Sequence, residues 1–312
     1  MELLLLRSVW SGPKDLDKLI DQTLSGGFNG IEGPIPKDPA QQKALQQKLQ
    51  AANLSFIAEA TTGTDPNSKT DWWIPKRDRT PQQHLNDLRW TVERAADMNA
   101  RFVSTMCGYD GWSWSQNLLF FEQALTLEQQ FNLTISFETH RSRSLFNPWI
   151  TRDLLDHFPN LKLTCDFSHW CVVCERLLTD ETDLIQRCAQ HAQHIHSRVG
   201  YAQHAQVSDP RAPEFTAALL AHESWWDMIW TAQHQRGMTQ TTMNPEFLWD
   251  GYLQTLPFTQ APVANLWKIT TWMAHRQRQR FKTWQQTHQL APSNQTNKNL
   301  INQKQAHHKL TR

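Results

Sequence analysis

A chain of 312 residues with a hydrophobic share of 39%, including 14 Phe and 15 Trp, is long enough for one large domain or two ordinary ones with a substantial core. Its 31 basic and 30 acidic residues leave a net charge of +1, which gives no electrostatic case for a nucleic acid or another polyanionic partner. The opening MELLLLRSVW breaks at Arg7, no later apolar run reaches membrane-span length, and five cysteines accompany no secretory signal; the expectation is a cytoplasmic protein with reduced thiols and no membrane partner.

Short apolar runs alternate with longer amphipathic stretches along the chain. The runs are Glu2–Val9, Gly30–Glu32 with its flanks, Leu54–Ala60, Phe102–Met106, Leu133–Glu138, Leu161–Asp166, Gln193–Val199 and Met238–Glu246. Most are rich in Leu, Ile, Val, Phe and Thr, as parallel strands buried on both faces are. Between them, Thr80-Pro81 pairs an N-cap residue with a proline at the first helical position, and Leu85, Leu88, Val92 and Ala95 follow at helical spacing. Glu214 to Gln235 repeats the pattern with Phe215, Leu219, Trp226 and Trp230 until Gly237 stops it. Alternation of this length means a parallel sheet, and eight units favour a closed (β/α)8 TIM barrel over residues 1–290. The stretch 291–312, dominated by Asn, Gln, Lys and His, has no periodic apolar face and is expected to be a disordered tail.

Reactive groups of a barrel gather at the C-terminal ends of its strands. Four late strands finish in metal-ligand residues: TISFETH at Glu138, KLTCDFSHW at Asp166, QHIHSRVG at His196 and TTMNPEF at Glu246. Side chains two apart share a strand face, so Ser136, Glu138 and His140 point together, as do His194, His196 and Arg198, and Thr242, Asn244 and Glu246. Taken singly, such a carboxylate is a solvated loop residue or a helix cap, and His194 reads equally as a packed core histidine. Four coincident strand ends argue for one divalent metal instead. Three carboxylates and one imidazole suit Mn, Mg, Co or Zn and leave positions open for substrate.

From Leu3 to Trp284, and most closely from Phe137 to Glu246, the chain resembles the xylose-isomerase-like TIM barrels, which include sugar epimerases, dehydratases and endonuclease IV-type repair enzymes. The resemblance makes Glu138, Asp166, His196 and Glu246 the metal ligands, and Asp166-Phe-Ser-His169 the D-x-x-H element whose His169 contacts substrate. It also implies that Glu138 and Glu246 are catalytic, exchanging protons with a small polyhydroxylated carbonyl substrate through an enediolate. The expected enzyme is a metal-dependent isomerase or epimerase of a sugar, cyclitol or hydroxy-ketone. A dehydratase on the same scaffold and a catalytically silent metal-binding barrel are the alternatives. Barrels of this kind often pair, so a homo-oligomer stays open.

Departures from the family narrow this. The repair enzymes need further histidines on the third and fourth strands, which here run FIAEATTGT and VSTMCGYDGW without one. The ketose epimerases carry an arginine six residues past the metal-binding His, where this chain has Ala202; Arg198 is the candidate to bind substrate oxygen in its place. His140 and Arg141 follow Glu138 closely and compete with a plain loop role. Trp10, Trp112, Trp114 and Trp170 lie just past strands, where an indole stacks on a sugar ring or shuts out water. Trp225, Trp226 and Trp230 read as packing against the barrel. Cys171-Val-Val-Cys174 lacks a second pair and reads as inert, and Glu32 and Glu59 end early strands as supports for the ligands or as substrate contacts.

Overall fold

The structure, a computed structural model, describes residues 1–65, 73–249 and 251–290; the polar tail expected over 291–312 lies outside the described residues. Eight parallel strands close in sequence order: β1 (Glu2–Ser8), β2 (Gly30–Pro34), β3 (Ser55–Thr61), β4 (Val103–Met106), β5 (Ile135–Glu138), β6 (Lys162–Cys165), β7 (Ala192–His196) and β8 (Gln240–Asn244). β8 pairs back on β1 from Glu2↔Gln240 to Leu5↔Met243, which completes the (β/α)8 barrel. The helices are α1 (Leu16–Ser25), α2 (Pro39–Ala51), α3 (Pro81–Asp97), α4 (Trp114–Phe131), α5 (Pro148–His157), α6 (Ser168–Val173), α7 (Thr182–Ala189), α8 (Thr216–Gln235) and α9 (Leu266–Leu290). The chain divides into two compact units, Met1–Ala274, which holds the barrel, and His275–Arg312, whose described part continues α9.

Local chemistry sets these boundaries. α3 starts on a capping box in which the Thr80 side chain accepts from the Gln83 N–H and Gln83 accepts in return from Thr80 N–H, with Pro81 at the first turn. Ser113 and Gln116 repeat the device at α4, which ends on Asn132 at φ 47. The stretch expected as one helix from Glu214 begins instead with a 3-10 turn, Pro213–Phe215, before α8. At Gly63 (φ +67) a Cβ would stand 1.9 Å from Nε2 of His84, so glycine lets the chain leave β3 across that ring.

All residues of β4 and β5 are buried, as strands enclosed on both faces must be. Leu4 and Leu6 of β1, Ile57 of β3 and Phe102 ahead of β4 form a core cluster. Trp225, Trp226 and Trp230 of α8 are also buried. Each such side chain contributes roughly 1.5–3 kcal/mol on burial. Among the described residues no helix is long and apolar enough to cross a membrane, and all five cysteines are free thiols.

Three strands stop earlier than their apolar runs do. β6 ends at Cys165, β7 at His196 and β8 at Asn244, so Asp166, Arg198 and Glu246 sit on backbone that has left the ladder. At β8 the reason is plain: Pro245 has no N–H for the ladder, and Glu246 N–H turns back to Asn244 O at 2.8 Å. Freed from the pleat, these side chains turn toward one another at the barrel mouth.

Candidate metal centre

Glu138, Asp166, His196 and Glu246 each offer one ligand atom, and these four atoms lie within 4.8 Å of one another. All four residues are buried. Nδ1 of His196 is 3.0 Å from Oε2 of Glu246 and 3.3 Å from Oε1 of Glu138. Asp166 holds its Oδ1 with Ser168, accepting from the backbone N–H at 3.1 Å and from the hydroxyl. Its Oδ2, like His196 Nδ1, is buried without a hydrogen-bond partner. Leaving such lone pairs unsatisfied costs roughly 1–3 kcal/mol each. Three carboxylates facing an imidazole nitrogen, with two orphaned acceptors among them, form a donor set that fits a divalent cation.

The orientation of His196 is imposed from β2. Glu32 accepts from His196 Nε2 at 3.0 Å through Oε1; its Oε2 accepts from His194 Nε2 at 3.0 Å and from Asn244 Nδ2 at 2.7 Å. His194 Nδ1 is then the acceptor for the Thr242 hydroxyl at 2.7 Å. Burial alone would raise the Glu32 carboxyl, yet His196 and His194 outweigh it and hold it well below the usual carboxylate range. Glu32 therefore supports the ligand histidine, and His194 is an interior member of the same network.

The two glutamates differ electrostatically. Burial pushes the Glu138 carboxyl up to about 7 against the lowering pull of His196. Burial acts on Glu246 in the same sense, but His196 and Arg198 overcome it and hold that carboxyl below its ordinary value. Arg198 reaches Glu246 twice: Nη2 pairs with Oε2, and Nε donates to the backbone oxygen at 2.9 Å. Its Nη1 donates to His169 Nε2 at 3.0 Å and lies 3.4 Å from Asp166 Oδ2. Burial opposes its charge, and Asp166 with Glu246 more than compensates.

His169, expected to meet substrate, lies behind this layer, with its ring 3.8 Å from that of His140 and its Nδ1 buried without a partner. Because Nε2 accepts from Arg198, the proton is on Nδ1. Burial, then Arg143, keeps His140 neutral; burial, then His140 and Arg198, does the same for His169. His140 lines a chamber above the metal ligands together with Glu138, Arg198, Glu246, Glu59 and Trp10. Trp10 Nε1 donates to Glu59 Oε2 at 2.6 Å.

The other strand-end tryptophans go elsewhere. Trp112 is buried against His84 and Phe120, Trp170 is buried with Nε1 donating to Leu145 O, and Trp114 is exposed at the start of α4 beside His157. Two site residues carried no sequence signal. Tyr252 lines the chamber with its hydroxyl 3.3 Å from His140 Nε2 and its ring under Arg198 and Arg141. Arg143 is buried and donates to the backbone oxygens of Thr62 and Trp73, which fixes the loop after β3 beside the chamber. A buried arginine in THRSR differs in no local respect from its exposed neighbours.

A family model described as xylose isomerase-like TIM barrel matches residues 20–219. Comparison with curated proteins gives no match. Among solved structures the chain is similar to the probable 3-DHS dehydratase AsbF from Bacillus anthracis, with 16% identity, 86% of this chain and 96% of that one covered, and a TM-score of 0.52. It is similar to 3-keto-D-glucoside 4-epimerase, YcjR, from E. coli, with 9% identity, 80% and 93% covered, and a TM-score of 0.52. A xylose isomerase-like TIM barrel protein from Mycobacterium smegmatis, in complex with magnesium, gives 11% identity, 80% and 91% covered, and a TM-score of 0.53. Identities this low establish a common fold, and the family match extends over more than half of the chain and includes three of the four clustered ligands. The chain belongs to the xylose isomerase-like TIM barrel family.

Proposed function

We propose that this enzyme is a divalent-metal-dependent isomerase or epimerase of a small sugar, cyclitol or hydroxy-ketone, acting through an enediolate. The observation that carries the reading is the approach of Glu138 and Glu246 to one unpartnered nitrogen of His196, with opposite displacements of their acidity. A C–H beside a carbonyl is too weak an acid for a free carboxylate to deprotonate usefully. A divalent ion on this donor set supplies the positive charge that stabilises developing negative charge on substrate oxygens, worth several kcal/mol. Glu246, held ionised by Arg198, suits the base; Glu138, near neutrality in its acidity, suits the group that returns a proton. A positioned carboxylate of this kind contributes roughly 10²–10⁴-fold. Arg198 orients Glu246, and the His169 Nδ1–H is a donor available to a substrate hydroxyl.

The test is deuterium exchange. Protein loaded with Mn²⁺ and offered a panel of ketoses and keto-cyclitols in D₂O incorporates deuterium at carbon, and Glu246→Gln loses nearly all of it. Normal exchange in that variant removes Glu246 from the chemistry.

One observation favours a second reading, a dehydratase. Glu59 lines the chamber as a third carboxyl, pushed well above the usual range by burial and then by Glu246, Glu32 and Glu138. A neutral carboxylic acid there suits the departure of a hydroxyl as water. New enone absorbance during turnover, lost in Glu59→Gln, selects that reading. A catalytically silent barrel would show neither exchange nor elimination and no bound metal.

A further inference from the structure

The chamber over the metal ligands has a volume of about 20 Å³, room for roughly one water. A second cavity of about 620 Å³ opens beside it at the same rim. The two share a wall, because Trp10 and Glu59 line both. The larger cavity lies between the loop after β2, the end of β3 and the helix α3, which contribute Lys37, Thr61, Arg79, Asp87 and Trp90.

We propose that this cavity is the outer half of the substrate site and that the substrate is an uncharged glycoside. Its reacting ring meets the metal ligands past Trp10, and its substituent ring lies against Trp10 and Trp90. The inference rests on the isomerase or epimerase reading above and names the substrate class for it.

Three observations lead there. The first is size. Sites that enclose a whole organic ligand run to roughly 300–1,000 Å³, and a free hexose or cyclitol fills only part of this cavity. The second is surface chemistry. Two indoles present flat apolar faces, as the ring C–H groups of a sugar or an aryl substituent require, while Glu59, Asp87 and Thr61 add hydrogen-bonding oxygens at the edges. Trp90 is already fixed by the Arg94 guanidinium, 4.3 Å from its ring centroid, so little side-chain freedom is lost on binding. The third is charge. Lys37 and Arg79 are balanced by Asp65 and Asp87, Arg79 donates to Thr64 O at 3.4 Å, and Asp87 accepts from Gly63 N–H at 2.8 Å. A phosphate or carboxylate site needs converging cations or bidentate arginine, and here the cations are offset.

The test is calorimetric titration of the Mn²⁺-loaded full-length protein. The probes are a panel of 4-nitrophenyl glycosides of glucose, galactose, mannose and xylose, both anomers, against the parent sugars and glucose 6-phosphate. The expected result is at least one glycoside bound tenfold or more tighter than its parent sugar and than the phosphate. Trp90→Ala and, independently, the cavity-filling Thr61→Trp erase that preference, and Trp90→Phe restores part of it. A phosphate bound more tightly than every glycoside overturns the proposal, as does a preference that survives both variants or a panel in which no glycoside exceeds its parent. The Mn²⁺-induced rise in melting temperature, read on the same samples, keeps the two levels apart. A glycoside preference without that rise sinks the metal reading and keeps the cavity assignment; the rise without a preference does the reverse.

Discussion

Glu32 and His196, 164 positions apart in the chain, meet at 3.0 Å through Oε1 and Nε2, and that contact decides which nitrogen of His196 faces the other three ligands. With its proton on the side of Glu32, the imidazole presents a bare Nδ1 to Glu138 and Glu246. Carboxylates placed behind a ligand histidine in this way fix its tautomer and raise its basicity. Replacing Glu32 with glutamine removes the charge and allows the ring to turn its proton toward the metal. Mn²⁺ affinity, measured by calorimetry, is expected to fall roughly 10- to 100-fold. Unchanged affinity in Glu32→Gln would show that the ring is held by other means.

Arg198 is the cation that lets Asp166 and Glu246 share a buried site. In Arg198→Met the apolar stem is kept, but two carboxylates lose their counter-charge. Removing one partner of a buried ion pair costs about 3–5 kcal/mol, so urea unfolding should show a loss of that order. Arg198→Lys keeps the charge without the fork that reaches both Glu246 and His169, and recovers only part of the loss. A loss below about 1 kcal/mol in Arg198→Met would contradict the pairing.

The strand ends from β5 to β8 are legible because a chemical change marks each one: an apolar run stops at a carboxylate or an imidazole. That is why Glu138, Asp166, His196 and Glu246 stand out from local sequence. The tryptophans are less legible for a physical reason. Trp10, Trp112, Trp114 and Trp170 all follow strands, yet an indole just past a strand reads the same whether its loop bends over the mouth or back into the wall. Trp10 bends over the mouth; Trp112 and Trp170 pack inward, and Trp114 starts a helix on the outside. Tyr252 and Arg143 act through partners distant in the chain, His140 and Thr62, and no local pattern encodes a partner at such separation.

His222 of α8, remote from the metal ligands in sequence, predicts acid sensitivity. Its Nδ1–H donates to Ala218 O at 2.9 Å while Nε2 accepts from Gly200 N–H at 3.4 Å, an arrangement open only to the neutral ring. Burial lowers its pKa from 6.5 to about 4. Between those values the unfolded chain binds a proton that the folded chain does not, so stability rises with pH through the window and levels off above it. The contribution missing at pH 4 is on the order of 3 kcal/mol. Unfolding free energies of the wild type and His222→Gln, measured by urea from pH 4 to 8, should differ in slope below pH 6.5. Parallel curves would mean that His222 titrates alike in both states.

A reversal of sign at Glu138 separates a metal ligand from a merely structural carboxylate. Burial, with Glu246 and Asp166 nearby, pushes this carboxyl up to about 7 against the pull of His196. A carboxyl harder to ionise in the folded chain than in the unfolded one subtracts from stability once the pH rises above its ordinary value, and the full penalty is reached above about 7. Removing the charge in metal-stripped protein at pH 8 should therefore stabilise, by on the order of 1–3 kcal/mol. With Mn²⁺ present the same change removes a ligand oxygen and much of the stabilisation that binding confers on the folded state. Glu138→Gln should thus melt above the wild type in EDTA and below it in Mn²⁺. A variant that melts lower in both conditions would make Glu138 an ordinary hydrogen-bonding residue of the barrel rim, and the donor set would lose the member that it shares with the proposed proton transfer.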